Sequence, residues 1–397
     1  GGGICADWGE VSITTSLFTD NSADADGGAI SMEYNDLTIT NSTFRDNNCG
    51  EWGGAIDYES YEDPYEFLIT GCTFDGNYAG EWGGAMAIEY GESTLTNCTF
   101  SGNYTISSIK GGGALAIWSE TSALQFLTIA NNTAAGRSGG LFFDTDNSGT
   151  YYMSNCLIAN NTGNGTGDDF YNNGATLVDN GYNLVEVSNV AATASGGFDN
   201  PTDILYNTKY GDATTSNTTW TRAGADMPVQ NINVASSLAD NGGTTETLAI
   251  TAGSMAIGSG LAISGVTTDQ RGTTRFNPPT IGAYDYPTAS YTWTGSAKDN
   301  DWFTAGNWNN SSVPSAPDHV SIPDGAGSYP VIAPGEAVAC NNLTIGSNAT
   351  LTLQSTSEGA GALLTYGTVS GSATVQQYLD EDLWHFVGIP VSGLTAA

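Results

Sequence analysis

Basic residues are scarce in this chain of 397 residues. Eight Lys and Arg stand against 42 Asp and Glu, so the formal net charge is −34 at pH 7. Binding to nucleic acid needs a basic surface that displaces counterions, and attachment to anionic lipid relies on similar charges. The composition therefore argues against both partners, whereas an acidic surface suits cation binding and solubility outside the cell.

Long apolar runs and helical periodicity are also missing. No run approaches the ~20 residues of a membrane span, and no long stretch repeats its apolar residues every 3.6 positions. Short alternating runs occur throughout, and nine Trp, 19 Tyr and 13 Phe can fill a core. This composition predicts an all-β fold without membrane insertion. Because the chain opens inside a repeat, we interpret it as a segment of a longer, exported protein.

Cysteine is too rare for a disulfide framework, with six residues in a chain of this size. Cys72, Cys98 and Cys156 share one repeat position, which Leu127 occupies in another turn. This exchange with Leu predicts buried thiols. The alternative is a disulfide between Cys72 and Cys98, since stacked strands would place their Cα atoms ~4.8 Å apart.

What the chain does contain is a two-part repeat that returns six times before residue 160. In both parts one apolar position recurs. In the first part, which opens with a GGA-like sequence, the position holds Ile4, Ile30, Ile56, Met86, Leu115 and Leu141. In the second part it holds Phe18, Phe44, Phe74, Phe100, Ile129 and Ile158. Successive steps in the first set are 26, 26, 30, 29 and 26 residues, a period typical of stacked repeats.

The alternation within each repeat predicts a right-handed parallel β-helix followed by a smaller β domain. We expect Ile30, Ile56, Met86 and Leu115 to stack in one inward column, and Phe44, Phe74 and Phe100 in another. Asn and Gly recur at a bend that favours left-handed backbone, at Asn41, Gly71, Asn97 and Asn155. Phe126 occupies this position in the fifth turn, so we expect that turn to be remodelled.

The alternating GGA and FxxN elements resemble the repeat of chlamydial polymorphic outer-membrane proteins and related right-handed β-helices, over residues 1–165. The stretch from LADNGG to IGAYDY is similar to the choice-of-anchor Q region that ends many bacterial surface β-helices. This resemblance implies that residues 166–286 form an irregular continuation and cap of the helix. We expect Arg271 and Arg275 to anchor that cap through carboxylate pairs.

Residues 291–397 resemble a module of Bacteroidota surface proteins that are exported by type IX secretion. The resemblance, carried by YTWTGSAKDNDWFTAGNWNN and the runs that follow, implies a separate β module that is incomplete at Ala397. We expect Trp293, Trp302 and Trp308 to pack in its core rather than to stack on sugars.

A column of outward residues is the leading candidate for a binding site. Three residues after each first-part apolar residue come Asp7, Glu33, Glu59, Glu89, Trp118 and Asp144, and Asp57 shares the face of Glu59. Carboxylates ~5 Å apart in water repel by only ~0.8 kcal/mol, so a solvated column without a ligand is tolerable. The functional alternative is a strip that binds Ca²⁺ or a glycan. It comprises Asp7, Glu33, Asp57, Glu59, Glu89 and Asp144.

Two further patterns lie beside this column. Asp144, Asp146 and Ser148 resemble the start of a Ca²⁺-binding loop, although a solvated turn is the competing interpretation. Trp52 and Trp82 follow the same GEWGGA pattern in adjacent turns, and we expect them to stack on each other at a corner.

These observations predict an extracellular, cell-surface structural or adhesive protein without catalytic activity. Its partners would be host, neighbouring-cell or matrix glycans or proteins, or further copies of itself, and Ca²⁺ would be an optional ligand. Like carboxylates in five of the six turns and the absence of His from the repeats argue against turnover. The alternative is a carbohydrate-active enzyme or glycan-binding module that uses the strip. Carboxylates with unequal, perturbed environments in a groove would favour it.

Overall fold

The computed structural model describes residues 1–61, 65–144, 149–164, 168–190, 204–210, 232–251, 254–287, 289–315, 318–357, 359–365 and 369–378. The chain forms two compact units, Gly1–Pro287 and Thr288–Ala397. Both consist of β-strands and loops, with a single described 3₁₀ turn at Ala305–Asn307. Within these ranges, no helix is long and apolar enough to cross a membrane.

The first unit is a parallel β-helix in which each turn contributes several short strands. Its strands are β1 (Ile4–Thr14), β2 (Leu17–Thr19), β3 (Ser22–Ala23), β4 (Ile30–Thr40), β5 (Thr43–Arg45), β6 (Asn48–Cys49), β7 (Ile56–Ser60), β8 (Glu66–Thr70), β9 (Thr73–Asp75), β10 (Tyr78–Ala79), β11 (Met86–Tyr90), β12 (Glu92–Thr96), β13 (Thr99–Ser101), β14 (Tyr104–Thr105), β15 (Leu115–Trp118), β16 (Thr121–Gln125), β17 (Thr128–Ala130), β18 (Thr133–Ala134), β19 (Leu141–Phe143), β20 (Thr150–Ser154), β21 (Leu157–Ala159), β22 (Phe170–Asn172), β23 (Thr176–Asp179), β24 (Leu184–Val190) and β25 (Ile204–Tyr210).

Strand pairing follows the repeat period and confirms the first inward column. Ile30 pairs with Ile56, Ile56 with Met86, and Met86 with Leu115, all in parallel register. These side chains are fully buried. A single turn cannot bury its inner face alone, so the stacking of turns creates the continuous core.

The second inward column is a stack of phenylalanine rings, as predicted. Ring centroids of Phe44 and Phe74 lie 4.9 Å apart, and those of Phe74 and Phe100 lie 4.7 Å apart, with the planes nearly parallel. Phe18 extends the stack at 4.9 Å. The ring separations follow the spacing of the strands that carry them.

The GGA sequence has a steric origin. In four of the repeats the first glycine adopts a left-handed conformation, as at Gly53, where φ is +66°. A Cβ on the second glycine would clash with the next turn: at Gly54 it would lie 2.0 Å from the carbonyl oxygen of Gly84. Glycine therefore recurs here because neighbouring turns approach backbone to backbone.

The predicted bend residues adopt the left-handed conformation, with φ of +50° at Asn41, +54° at Asn97 and +55° at Asn155. The expectation for the fifth turn is wrong. Phe126 keeps this conformation with φ +52°, and the Arg275 guanidinium lies 3.8 Å from its ring centroid. The aromatic side chain is retained because a cation packs on its face.

The cysteine prediction is confirmed for the described residues. Cys72, Cys98 and Cys156 are buried thiols. The backbone N–H of Cys72 donates to Cys98 Sγ at 3.4 Å. The shared repeat position is thus a column of buried thiols, and burial raises the pKa of Cys98 well above its usual value.

A ladder of buried asparagines runs through the repeats, a role that the sequence pattern alone does not predict. Each side-chain Nδ2 donates to the Oδ1 of the next member at 2.8–2.9 Å. The members are Asn21, Asn47, Asn77, Asn103, Asn132 and Asn161. Such ladders join successive turns by hydrogen bonds that water cannot replace.

Replacing a central rung is expected to destabilise the helix. In Asn77→Ala, the buried backbone N–H of Asn47 loses its acceptor, and Asn47 Nδ2 and Asn103 Oδ1 each lose one of their two hydrogen bonds. This loss should lower the free energy of unfolding by about 1–3 kcal/mol. Chemical denaturation measures this change. Asn48→Ala, at a half-buried position of a neighbouring turn, serves as the control and should have the smaller effect. Equal losses would contradict the role of the ladder.

Residues 232–287 pack along the side of the helix. Glu246 forms an ion pair with Arg45 of the second turn, and Gln270 accepts a hydrogen bond from Thr99 Oγ1 at 2.6 Å. Farther along the helix, the Ala283 N–H donates to Thr128 Oγ1 at 2.9 Å. The contacts run along several turns of the helix, and the predicted capping of its C-terminal end stays a prediction. Short outward threonines provide a flat polar surface for the segment.

The arginine pairs of this segment are confirmed. Arg271 Nη2 lies 2.6 Å from Asp269 Oδ2, and Arg275 Nη1 lies 3.8 Å from Asp285 Oδ1. Arg275 also donates to Asn97 Oδ1 of the helix at 2.8 Å. The two guanidinium groups therefore hold the segment together and attach it to the turns.

The second unit consists of short strands, most of which pair in parallel, with one antiparallel pair. They are β26 (Ser290–Thr292), β27 (His319–Ile322), β28 (Val331–Ile332), β29 (Ala337–Cys340), β30 (Leu343–Ile345), β31 (Thr352–Leu353), β32 (Ser355–Thr356), β33 (Gly359–Ala360), β34 (Ala362–Thr365), β35 (Val369–Ser370) and β36 (Thr374–Val375). Strands β26, β27, β30 and β35 form one sheet, β28, β31 and β36 a second, and β29 and β34 a third.

Tryptophans form part of the core of this unit, as predicted. The rings of Trp293 and Trp302 both contact Trp308 edge to face, with centroids 5.0 and 4.8 Å apart. All three are at most 2 % exposed. They are therefore structural residues and not a sugar-binding platform.

Candidate functional site

The predicted carboxylate column lies on the outer face of the sheet formed by the first strand of each turn. Asp7 pairs with Glu33, Glu33 with Glu59, and Glu59 with Glu89 in parallel register. Trp118 pairs with Glu89 and takes the column position in the next turn. The column is therefore continuous over four turns and ends at an aromatic ring.

A groove of about 410 Å³ lies over the later part of this column. Six carboxyl groups line it, from Asp26, Glu51, Asp57, Glu59, Glu89 and Asp144. Four of the predicted strip residues thus meet in one groove. Asp7 and Glu33 are not among its lining residues; they belong to the earlier, more open part of the column.

Five aromatic residues also line the groove: Trp52, Tyr61, Trp82, Tyr90 and Trp118. Trp52 and Trp82 are paired through their backbones, but the predicted ring stack is between other partners. Trp52 stacks on Trp118 with centroids 5.8 Å apart, and Trp82 meets Trp118 edge to face at 5.0 Å. Trp118 inserts between them because its strand presents an indole where earlier turns present carboxylates.

Among the described residues, one amine lines the groove. Lys110 Nζ lies 4.9 Å from the centroid of Trp82, within the range of a cation–π interaction. Lys110 lies in the longer connection between Phe100 and Leu115, where the repeat offset is 15 residues instead of 12. The irregular turn therefore brings a basic side chain to a groove that is otherwise acidic.

The carboxyl groups have very different environments, which contradicts the expectation of a uniform solvated column. Glu33 is exposed and Glu59 half-buried, whereas Glu89 is only 7 % and Asp57 only 6 % exposed. Asp57 pairs with Ala87, a member of the outer cluster that also contains Trp82 and Trp118. This cluster covers one part of the outer face, and sequence periodicity does not reveal such a cover.

Burial changes the acidity of these groups. Loss of solvation, with smaller contributions from Glu59 and Asp26, raises the pKa of Glu89 to about 8. Loss of solvation, followed by the charges of Glu89 and Asp26, raises the pKa of Asp57 well above its usual value. Both effects disfavour the charged form. At neutral pH the groove therefore holds a protonated carboxylic acid at Glu89.

Asp57 and Glu59 differ in the hydrogen bonds of their carboxyl groups. Asp57 Oδ1 is buried and has no hydrogen-bond partner within the described ranges, although Asp57 lines the groove. Glu59 instead hydrogen-bonds the Tyr61 hydroxyl, which raises the pKa of Tyr61. The groove thus contains one carboxyl group with an unused oxygen and another that is held by a neighbouring phenol.

The metal prediction finds no support in the described part of the chain. Asp146 and Ser148 lie outside the described residues, and Asp144 accepts a hydrogen bond from Asn173 Nδ2 at 2.8 Å. No described group of three or more His, Cys, Asp or Glu side chains is placed to hold a metal ion. Calcium binding stays a prediction.

Sequence reasoning identified Asp57, Glu59, Glu89 and Asp144 but missed several groove residues. The missed residues lie near the recurring parts of the turn and outside the column itself: Asp26, Glu51, Tyr61 and Tyr90. Tyr90 follows Glu89, and its positive φ of +60° marks the bend after the strand. An aromatic residue recurs directly after the column position, at Trp8, Tyr34 and Tyr90. This recurrence is the sequence signal that could have identified Tyr90.

Comparison with known proteins gives one match. A family model described as a domain of unknown function (DUF8693) matches residues 292–362, within the second unit. Searches of the curated proteins and of the solved structures found no significant match.

Proposed function

We propose that the first unit binds an uncharged glycan in the groove, as part of an extracellular protein displayed at a cell surface. The observation that carries this proposal is the coincidence of aromatic rings and carboxyl groups around Asp57. Binding sites for small molecules combine apolar walls with a few convergent polar groups. Sugars have apolar ring faces that pack on aromatic rings and hydroxyl groups that hydrogen-bond carboxyl groups.

The unused oxygen of Asp57 favours a hydroxylated ligand. A buried oxygen without a partner raises the free energy of the folded state. A sugar hydroxyl can supply that partner when it enters the groove, and the protonated Glu89 can also donate. The gain in hydrogen bonding is then realised in the complex and not in the free protein.

Charge favours an uncharged ligand over a polyuronate. Within the described ranges, six carboxyl groups and one amine line the groove, and the whole chain carries a net charge of −34. A uronate polymer would approach against this potential, and any buried contact between like charges would oppose binding. A neutral glycan avoids this repulsion.

A surface or adhesive role is compatible with this site. A β-helix offers a rigid scaffold on which a groove can be held at a fixed geometry. Glycans of a host, a neighbouring cell or a matrix would be the partners. The proposal includes attachment of the protein to the surface of its own cell, because its repeats resemble those of bacterial surface β-helices.

Replacing a groove tryptophan should weaken glycan binding. Trp52 is half-buried and stacks on Trp118, so Trp52→Ala removes an exposed ring face from the groove. We expect an affinity at least about tenfold lower for neutral glycans. Isothermal titration against soluble glucans, xylans and mannans measures the change.

Trp8→Ala is the matched control. Trp8 is 62 % exposed and is not among the groove residues, so its removal should leave the affinity unchanged. The proposal fails if the unaltered protein binds none of the neutral glycans, or if Trp52→Ala binds them as well as the unaltered protein does.

A further inference from the structure

We propose that the groove also hydrolyses the glycan that it binds, with Glu89 as the proton donor and Glu59 as the nucleophile. This inference rests on the proposed glycan binding, and goes beyond it to a reaction. It replaces the sequence-based expectation of an inert surface, because the carboxyl groups of the column differ in the way that an acid and a nucleophile must differ.

The geometry of the pair is set by the sheet. Glu59 and Glu89 are register partners on the adjacent parallel strands β7 and β11. Neighbouring strands lie about 4.8 Å apart, and both side chains leave the same face with the same length. This spacing is close to the ~5–5.5 Å between the two carboxyl groups of retaining glycosidases. The pair is therefore suited to a double displacement.

The surroundings assign the two roles. Glu89 is 7 % exposed beside the tryptophan cluster, and its raised pKa of about 8 keeps it protonated at neutral pH. Glu59 is half-buried and hydrogen-bonds the Tyr61 hydroxyl. That hydrogen bond orients the Glu59 carboxyl group towards its neighbours in the groove. A protonated acid and an oriented carboxyl group thus occupy neighbouring turns.

The reaction balances with water as the second substrate. The Glu89 carboxyl proton passes to the glycosidic oxygen as the bond from that oxygen to the anomeric carbon breaks, and Glu59 bonds to the anomeric carbon. Water then attacks this carbon and gives its proton to the Glu89 carboxylate. The bond to Glu59 breaks, and its electron pair returns to Glu59. The sugar is released with its anomeric configuration retained.

Other carboxyl groups do not fit these roles. Glu33 is exposed and lies outside the groove lining, and Trp118 occupies the column position beyond Glu89. Asp57 is buried two residues before Glu59 on the same face. Its unused oxygen can hold a sugar hydroxyl and so position the ring over the pair. Asp57 is therefore a positioning residue.

The test uses the full chain with neutral glycans that it binds and with dinitrophenyl glycosides. Release of reducing sugar is expected, with a loss of rate as pH rises through about 8, where Glu89 gives up its proton. Glu89→Gln should reduce hydrolysis of glycans by about 10²–10⁴-fold. It should retain activity on dinitrophenyl glycosides, whose leaving group needs no proton. Glu59→Gln should lose activity on both substrates.

Glu66→Gln, an exposed change on strand β8, is the control and should leave the rates unchanged. Isothermal titration shows whether each variant still folds and binds. If the unaltered protein binds a neutral glycan but releases no product between pH 4 and 9, the hydrolase is refuted and glycan binding stands. If it binds no glycan, the proposed function itself fails. If Glu89→Gln lost activity on glycans and on dinitrophenyl glycosides to the same extent, the proton-donor role would be refuted.

Discussion

Ile69→Asp should abolish or severely weaken the folded state of the first unit. Ile69 is fully buried in β8 and lies in register between Ile39 and Leu95. An aspartate there would be surrounded by apolar side chains without a cationic partner. We expect the free energy of unfolding to fall by about 4–5 kcal/mol or more. Urea denaturation followed by circular dichroism measures the loss.

The adjacent residue provides a matched control. Leu68 precedes Ile69 on the same strand but points outward and is 36 % exposed. Leu68→Asp introduces the same charge one position away, and its cost should be within about 1 kcal/mol because solvent can hydrate the carboxylate. Similar losses in the two variants would show that the assignment of inner and outer faces is wrong.

Glu89→Gln should stabilise the protein at pH 8. Burial raises the pKa of Glu89 from 4.5 to about 8 in the folded state. The folded state therefore holds a proton that the unfolded chain releases at lower pH. The contribution of this proton to the free energy of unfolding is fully present below about pH 4.5 and is lost as pH rises from 4.5 towards 8. With ~1.4 kcal/mol per pKa unit, the loss is about 3–5 kcal/mol.

Glutamine has no proton to lose, so this pH dependence should disappear in the variant. We expect a gain of about 3 kcal/mol over the unaltered protein at pH 8 and little difference at pH 4.5. Denaturation at both pH values measures it. Glu66→Gln, in an exposed position, should change stability by less than about 0.5 kcal/mol at either pH. An unchanged pH dependence in Glu89→Gln would contradict the burial of a protonated acid.

A stability gain of this kind has a functional meaning. Residues that destabilise the free protein are retained where a site needs strained or poorly solvated groups. Loss of glycan hydrolysis together with a gain in stability at pH 8 would distinguish a catalytic acid from a residue that merely supports the fold.

The sequence by itself determined the repeating part of the fold. The period of Ile30, Ile56, Met86 and Leu115 predicts stacked turns, because each apolar residue must meet its equivalent to be buried. The same period places Glu59 beside Glu89 on the outer face. Bends at Asn41 and Asn97 follow from the few residue types that accept positive φ.

Only the tertiary structure decided which carboxyl groups differ from their neighbours. Glu33, Glu59 and Glu89 are equivalent in the repeat, but their exposure depends on the side chains that cover the outer face. Trp118 and Trp82 come from different turns and strands, and Lys110 comes from an irregular connection. These three side chains come together over Asp57 and Glu89 through contacts between turns. The local sequence period does not predict such contacts.

The same reason applies to residues 232–287 and to the second unit. Docking of residues 232–287 on the helix depends on long-range contacts such as Gln270 with Thr99, for which the local sequence carries no period. The second unit is the separate β domain that the sequence predicts, but its strands have only two to four residues, so alternation within them does not reveal which strands pair. Periodic burial is local and can be predicted from sequence, whereas the cover over one face is a property of the assembled turns.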